Sequence, residues 1–496
     1  MSKCVVSSGS TRKGLRLTPL LVAFLLVGAL GPTRFVHAGE VVEAFDDGSP
    51  RLKYVTNDQG QKDGKYTEFH RNGKVAVEAT YRADQLEGAW ASYFEGGKVR
   101  VRTSYKGGKK NGHYEEFAES GETLVTSSYA DDQLNGKVEV FRGRKVASSQ
   151  TWRNGELVGL DGVVAHPVAL DSIRKTVASI LAGEPAVKGT EKGKAKPRKP
   201  AEAPAPTSGP LAEKRMAALR RLKAYRFLCG VPYEDVRLGD EPDAYAQAAS
   251  ELCLKLGRID HEPPNPGLPE EQFRFAAKGT KSCNLDPNGA IASVDDYFND
   301  SDPSNEKRVG HRRWCLNPAM VVTGFGEAGA ADPAGGEKRP YSAMWAMDGS
   351  RGRVADYEAV CYPTRGWMPI DHFGTNRAWS VSPNPVRFPN LAPETKVEVH
   401  VYRLGADFVR PEKPLDLDLL AVDTGVGSGP CVIFRPKGLE IAEGDAFWVE
   451  IFGLDAKALK PGERPKKSPD PSIRYFVHFC GPVRPVPADT ADDESK

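Results

Sequence analysis

The chain has 496 residues, with 68 Lys and Arg against 66 Asp and Glu, a formal net charge of +2. That balance offers no field for a polyanion, so nucleic acid is excluded as an expected partner. Hydrophobic residues make up 40% of the chain, enough for folded cores, and the length predicts about three domains once a leader is set aside.

The N-terminus reads as a targeting segment. Arg12, Lys13 and Arg16 precede an apolar run from Leu20 to Leu30, and Val36-His37-Ala38 puts small residues at the −3 and −1 positions of a cleavage site. Residues 1–38 are therefore expected to be a secretory signal, with an uncleaved anchor as the alternative. The run is shorter than the ~20 residues of a spanning helix, so no transmembrane span is expected beyond it. The protein is expected to be secreted, extracellular or periplasmic. Seven of the eight cysteines lie between Cys229 and Cys480, with no Cys-x-x-Cys pair. An oxidising compartment permits disulfides, and the pairs expected are Cys283 with Cys315 and Cys431 with Cys480, leaving an odd thiol.

Residues 48–160 repeat with a 24-residue period: Gly64, Gly88, Gly112 and Gly136 open similar units, and Gly73, Gly97 and Gly121 mark their second halves. Aromatics alternate with polar residues, and Asn-Gly or Glu-Gly-Gly separates the runs. This is hairpin chemistry, because Gly supplies the positive φ of tight turns. One unit cannot bury its own apolar face, so the units must stack. The pattern resembles bacterial MORN-variant repeats of the antitoxin-like type, and the resemblance implies a scaffold or binding surface. Tyr66, Trp90, Tyr93 and Tyr114 are either ligand-surface residues or the stacking core of the array.

Residues 161–210 combine a short helix, Leu170 to Leu181, with a Lys/Pro/Ala-rich stretch that reads as an extended linker. From Leu211 the period is helical. Met216, Leu219, Leu222 and Phe227 form a stripe that ends at Gly230, and Tyr245, Ala248, Leu252, Cys253 and Leu256 share the face of a second helix ended by Gly257. From about Val386 the period becomes two, in Val397-Val399-Val401, Phe447-Val449-Ile451 and Ile473-Tyr475-Val477-Phe479. Residues 351–485 thus read as a β-rich domain, an antiparallel β-sandwich. Residues 486–496 read as a disordered acidic tail.

Between these parts, Leu222 to Arg226, Gly230-Val231-Pro232, His261, Cys283-Asn284-Leu285, Val294 to Asp300 and Val309 to Pro318 follow one another at family-like spacing. They resemble the CAP domain of the cysteine-rich secretory/antigen 5/PR-1 (SCP) superfamily, here over 211–350. The resemblance implies an α+β fold, an α-β-α sandwich with a cleft where two His and two acidic residues hold a divalent metal such as zinc. Carried over, these positions are His261, His311, Asp300 and, departing from the family pattern, Cys283 in place of the first acid. Two imidazoles and a carboxylate can ligate zinc and leave a position open for water, whereas Cys283 as a fourth ligand would close the site. A Cys283–His nucleophilic pair lacks an identifiable orienting residue.

The expected fold class is therefore multidomain: a β-hairpin repeat array, then the α-β-α domain, then the β-sandwich. The expected function is a secreted or envelope-associated binding module for a protein, cell-wall or lipid ligand. The alternatives are a metal-dependent envelope hydrolase and a carrier of small apolar ligands. No Walker loop, nucleophile elbow or His-Glu-x-x-His motif favours a particular enzyme class.

Overall fold

The computed structural model describes residues 38–166, 169–183, 209–329, 339–352, 354, 357–374, 376–425, 427–454 and 470–483. The signal segment through residue 37, the linker stretch 184–208 and the acidic tail lie outside them. No helix among the described residues is long and apolar enough to cross a membrane.

The first thirteen strands are β1 (Gly39–Ala44), β2 (Pro50–Thr56), β3 (Lys62–Phe69), β4 (Val75–Arg82), β5 (Gln85–Tyr93), β6 (Val99–Lys106), β7 (Lys109–Phe117), β8 (Thr123–Ala130), β9 (Gln133–Leu134), β10 (Gly136–Arg142), β11 (Lys145–Arg153), β12 (Glu156–Leu160) and β13 (Val163–Val164). They form one antiparallel sheet in chain order, with β9 paired to β8 off the main path. The 24-residue glycines explain its regularity. Gly64, Gly88 and Gly112 face Tyr81, Tyr105 and Tyr129 across the ladder, and Gly136 faces Trp152. Each has φ between 87° and 120°, a region that side chains with a Cβ avoid. Two-residue turns with positive φ at both positions, such as Ala83-Asp84 and Gly107-Gly108, close alternate hairpins with the twist their strands need.

None of the four buried apolar clusters draws a fully buried residue from β1 to β11. Among the described residues, the main contacts of β2 to β8 are with adjacent strands of the same sheet. This part of the sheet is a single layer with solvent on both faces.

The rest of the chain continues through α1 (Leu170–Ala182), α2 (Pro210–Leu228), β14 (Arg237–Leu238), α3 (Asp240–Leu256), α4 (Glu270–Ser282), β15 (Cys283–Asp286), α5 (Ala290–Asn299), α6 (Gly310–Cys315), β16 (Val322–Thr323), β17 (Phe325–Ala328) and β18 (Tyr341–Trp345). Then come β19 (Ala359–Tyr362), β20 (Gly366–Pro369), β21 (Trp379–Pro383), β22 (Glu398–Arg403), β23 (Leu417–Asp423), β24 (Cys431–Pro436), β25 (Ala446–Phe452) and β26 (Ile473–Cys480). Strands β15, β18 and β17 form a three-stranded sheet, and the later strands form two four-stranded sheets, β19-β21-β24-β23 and β20-β26-β25-β22.

This corrects the expected fold class. The chain is mostly β, 39% strand against 21% helix, and its dominant element is the thirteen-stranded antiparallel sheet rather than an α-β-α sandwich set between two β modules. The physical reason is a shared core. Leu219, Leu222 and Tyr225 of α2 and Tyr297 and Phe298 of α5 belong to one buried cluster with Tyr362, Trp379, Val449 and Phe479. Tyr225 stacks on Phe298 at 3.8 Å between centroids, and Phe298 lies 5.5 Å from Tyr362 on β19. The apolar faces of α2 and α5 are thus shared between the β15-β18-β17 sheet and the later strands, while α3 packs on β17 and β18, so the helical region is continuous with the C-terminal strands rather than a separate unit. Those strands are not uniformly antiparallel either, since β20 pairs parallel to β26. The repeat sheet joins the same body at its far end. Leu157 and Leu160 of β12 pack with Ile173, Trp448 and Phe476, and Trp367 donates its indole N–H to the Leu157 carbonyl at 3.1 Å.

Candidate functional site

Two depressions border some of the residues singled out from the sequence. The first is a cleft of about 640 Å³ between the end of α4, the start of β15 and α6, bordered by His261, Cys283, Asn284, Asn305, His311 and Trp314. Asp300 ends α5 in the left-handed conformation (φ 50°), which turns its carboxylate back toward α6. There it meets His311 Nδ1 at 2.9 Å and accepts the Arg312 backbone N–H at 3.0 Å. Asn305 reaches both Asp300 and the His311 ring. His311 Nδ1 thus faces both the Asp300 carboxylate and the Asn305 amide, and Nε2 is the remaining ring nitrogen. Burial alone would lower the His311 pKa, but the Asp300 hydrogen bond and charge outweigh it, and the pKa is raised. His261 turns its Nδ1 to the Thr280 carbonyl at 2.7 Å.

Cys283 takes no part in this polar set. It is 4% exposed and packs with Ala246, Ala249 and Cys253 of α3, and burial pushes its thiol pKa well up. A thiol held neutral is a poor nucleophile. Among the described residues no group of three or more His, Cys, Asp and Glu is close enough to hold a metal ion. The four positions expected to converge on zinc do not fit that ion, because His311 and Asp300 are the only two of them in contact. No Ser, Thr or Cys side chain among the described residues hydrogen-bonds to either imidazole ring, so the cleft shows no activated nucleophile.

The expected disulfides are absent: Cys283, Cys315, Cys431 and Cys480 are free and buried, as are the other three described cysteines. Strand geometry is the reason. Asn284, next to Cys283 on β15, points its amide at Cys315 Sγ (3.6 Å), so Cys283 itself faces the opposite side of the strand. Cys431 packs with Val309, Ala378 and Leu419, while Cys480 lies in the separate cluster of Trp367 and Phe476.

The second depression is on the repeat sheet, where the four aromatic candidates divide between its faces. Tyr66, Trp90 and Tyr114 occupy one face, in pairs with Tyr81 (5.3 Å), Tyr105 (6.4 Å) and Tyr129 (5.8 Å). Lys62 lies over Tyr66 and Lys110 over Tyr114, so these rings are largely covered by their own neighbours, and Tyr66 is 8% exposed. Tyr93 stands on the opposite face, in a trough of about 760 Å³. Ala89 and Ala91 form its floor on β5. Glu78, Ala91, Arg102 and Glu115 stand in register across β4 to β7, so Glu78 walls one side of the floor and Arg102 the other. Tyr93 donates to Glu78 at 2.8 Å, Lys65 Nζ lies 3.6 Å from Glu78, and Arg102 pairs with Glu115.

The trough escaped a search for catalytic motifs, yet the repeats themselves mark it. Positions equivalent to Ala89 are Lys65, His113 and Lys137; those equivalent to Ala91 are Thr67, Glu115 and Glu139; those equivalent to Tyr93 are Phe69, Phe117 and Phe141. Three departures from the repeat fall in one unit, on one face, and together they make the depression.

Comparison with known proteins supports the repeat architecture. Residues 62–83 match the MORN repeat variant family, whereas the stretch resembling the CAP superfamily matches no model of that family. No curated protein matches the chain. Solved structures that resemble part of it include accessory secretory protein 1, 2 and 3 of Streptococcus pneumoniae, at 16% identity over 21% of this chain and 19% of that one, with a TM-score of 0.15. A TarM variant of S. aureus in complex with fondaparinux, alpha-GlcNAc-glycerol and UDP matches at 12% identity over 22% and 20%, with a TM-score of 0.15. The GtfA/B complex bound to UDP and GlcNAc matches at 12% identity over 27% and 24%, with a TM-score of 0.14. The chain spans between 19% and 24% of the length of these structures.

Proposed function

We propose that the protein is an exported binding protein whose repeat sheet presents the ligand surface and whose helical and C-terminal parts brace one end of that sheet. One observation carries this reading: strands β2 to β8 leave both faces to solvent and, on one face, enclose a 760 Å³ trough where a single unit departs from its repeats. A sheet normally buries at least one face, so a layer that does not is available to a partner. Export rests on the basic and apolar layout of residues 1–38. Among the described residues no nucleophile or metal set stands beside the His311–Asp300 pair, which favours binding over hydrolysis. A lipid carrier needs an enclosed apolar cavity, and both depressions are open and bordered by charged side chains.

The test compares the full chain with an Ala89→Lys, Ala91→Glu variant, which returns the trough to the residues its sister repeats carry. Both are assayed against immobilised glycans, peptides and lipid vesicles, with product analysis of every mixture. Binding that the variant loses, without product formation, supports the reading. Turnover of a panel member, or binding that the variant retains in full, overturns it.

A further inference from the structure

The trough's chemistry narrows the ligand. We propose that it binds a neutral oligosaccharide, a short glycan segment without carboxylate, phosphate or sulfate groups; this rests on the reading of the repeat sheet as the ligand surface.

Peptide recognition by strand addition is not available here. The backbone donors and acceptors of β4, β5 and β6 are taken by ladder partners on both sides, and the trough lies on the face of the sheet rather than at its edge. The charges on the walls cancel. Lys65 stands with Glu78, and Arg102 with Glu115, which also has His113 Nε2 within 3.6 Å. Two cations against two carboxylates give no net field to attract an ion of either sign. What remains is a floor of two methyl groups with Tyr93 at one end and carboxylate, ammonium and guanidinium groups along both sides. A ring with apolar faces and a rim of hydroxyls is the complement of that surface. Its C–H faces cover Ala89, Ala91 and the Tyr93 ring, and its hydroxyls both donate to Glu78 and Glu115 and accept from Lys65 and Arg102.

The dimensions agree. From β4 to β6 is two inter-strand spacings, about 10 Å, and from Ala89 to Tyr93 is four residues of strand, roughly 14 Å. That admits a few sugar rings laid along β5. On the opposite face the rings are paired with one another, and Lys62 and Lys110 lie over the Tyr66–Tyr81 and Tyr114–Tyr129 pairs.

The probes are chitotetraose and cellotetraose, set against a hyaluronan tetrasaccharide and a zwitterionic tetrapeptide, each titrated calorimetrically into the full chain. The expected result is saturable binding of a neutral tetrasaccharide, little changed between roughly 50 and 500 mM NaCl, a range over which the Debye length shortens about threefold. Affinity should fall at least about tenfold in the Ala89→Lys, Ala91→Glu variant. Phe already occupies the equivalent of Tyr93 in the other units, so Tyr93→Phe keeps the fold and should weaken binding severalfold. Circular dichroism and a thermal melt of each variant establish that the sheet is intact. Binding of the anionic glycan or the peptide in preference, lost in the trough variant, overturns the glycan assignment and leaves the binding role standing. No trough-dependent binding of any probe, with the sheet intact, overturns the glycan assignment; extending the same loss to the wider panel overturns the binding role too.

Discussion

Tyr93 and Glu78 sit on neighbouring strands, and the Tyr93 hydroxyl closes the 2.8 Å between them by donating to the carboxylate. Burial and this bond raise the Tyr93 pKa, so the phenol stays protonated and remains the donor. Removing the hydroxyl in Tyr93→Phe should cost about 1 kcal/mol or less, because the carboxylate is part-exposed and water can replace the lost donor. A urea titration checks this. A loss above about 3 kcal/mol would mean that the hydroxyl supports the whole unit rather than one wall of the trough.

Glycines 88 and 112 hold equivalent places but not equivalent surroundings. Both have positive φ, 87° and 106°, so each Ala substitution incurs backbone strain of roughly 1 kcal/mol. A Cβ at Gly88 meets nothing within 4 Å, whereas one at Gly112 comes 2.6 Å from Ser104 Oγ. Gly112→Ala should therefore lower the urea midpoint more than Gly88→Ala. Equal midpoints would show that Ser104 moves aside freely.

Asp286 makes stability depend on pH. It is 8% exposed on β15, its Oδ1 has no hydrogen-bond partner, and burial with the nearby Asp296 charge pushes its pKa up to about 7. The folded value lies above the unfolded one near 3.8, so the neutral carboxyl favours the fold. That contribution is complete below the unfolded value and is lost as pH rises through about 7. Melting temperatures recorded from pH 4 to pH 8 should show a decline in the wild type that Asp286→Asn reduces. Parallel profiles for the two proteins would remove Asp286 as the cause.

The seven described cysteines are buried thiols whose pKa values burial raises, as for Cys229, Cys315 and Cys431. Iodoacetamide should leave them unmodified in the native protein and alkylate them all in guanidinium without reductant. A mass that gains these adducts only after reduction would establish disulfides.

How much of this was legible beforehand varies with the range of the interaction. The 24-residue glycines announced the hairpins because each one acts through its own φ and the aromatic across one ladder. Gly257 ended α3 in the left-handed conformation, as its place after the apolar stripe implied. Asp300 and His311 lie eleven residues apart, and the short run of turns between them brings them into contact. The shared core was not legible: nothing local in Tyr225 says that its ring stacks on Phe298 and that both lean on Tyr362. Nor did the aromatic positions reveal their faces, although alternation along β5 separates Trp90 from Tyr93. The cysteine pairs failed for the same reason, because proximity in sequence or parity of count says nothing about which side of a strand a thiol faces.

Arg312 is where the helical and later strand regions depend on one another most directly. Its side chain is fully buried, with the guanidinium over the Tyr362 ring at 4.5 Å. It donates to the carbonyls of Phe298 (2.9 Å), Asn299 (3.1 Å) and Ala378 (2.7 Å) and to Ser380 Oγ (3.1 Å). These acceptors lie on both sides of the junction between α5 and β21. Arg312→Ala would leave several buried acceptors unpaired, and a loss of roughly 3 kcal/mol or more is expected. Lysine should not rescue it. A single ammonium cannot reach carbonyls arranged around a planar fork, and it is harder to desolvate. Thermal melts of Arg312→Ala and Arg312→Lys should therefore fall together, well below the wild type. A Lys variant that melts near the wild type would mean that charge alone, not the fork, holds the junction.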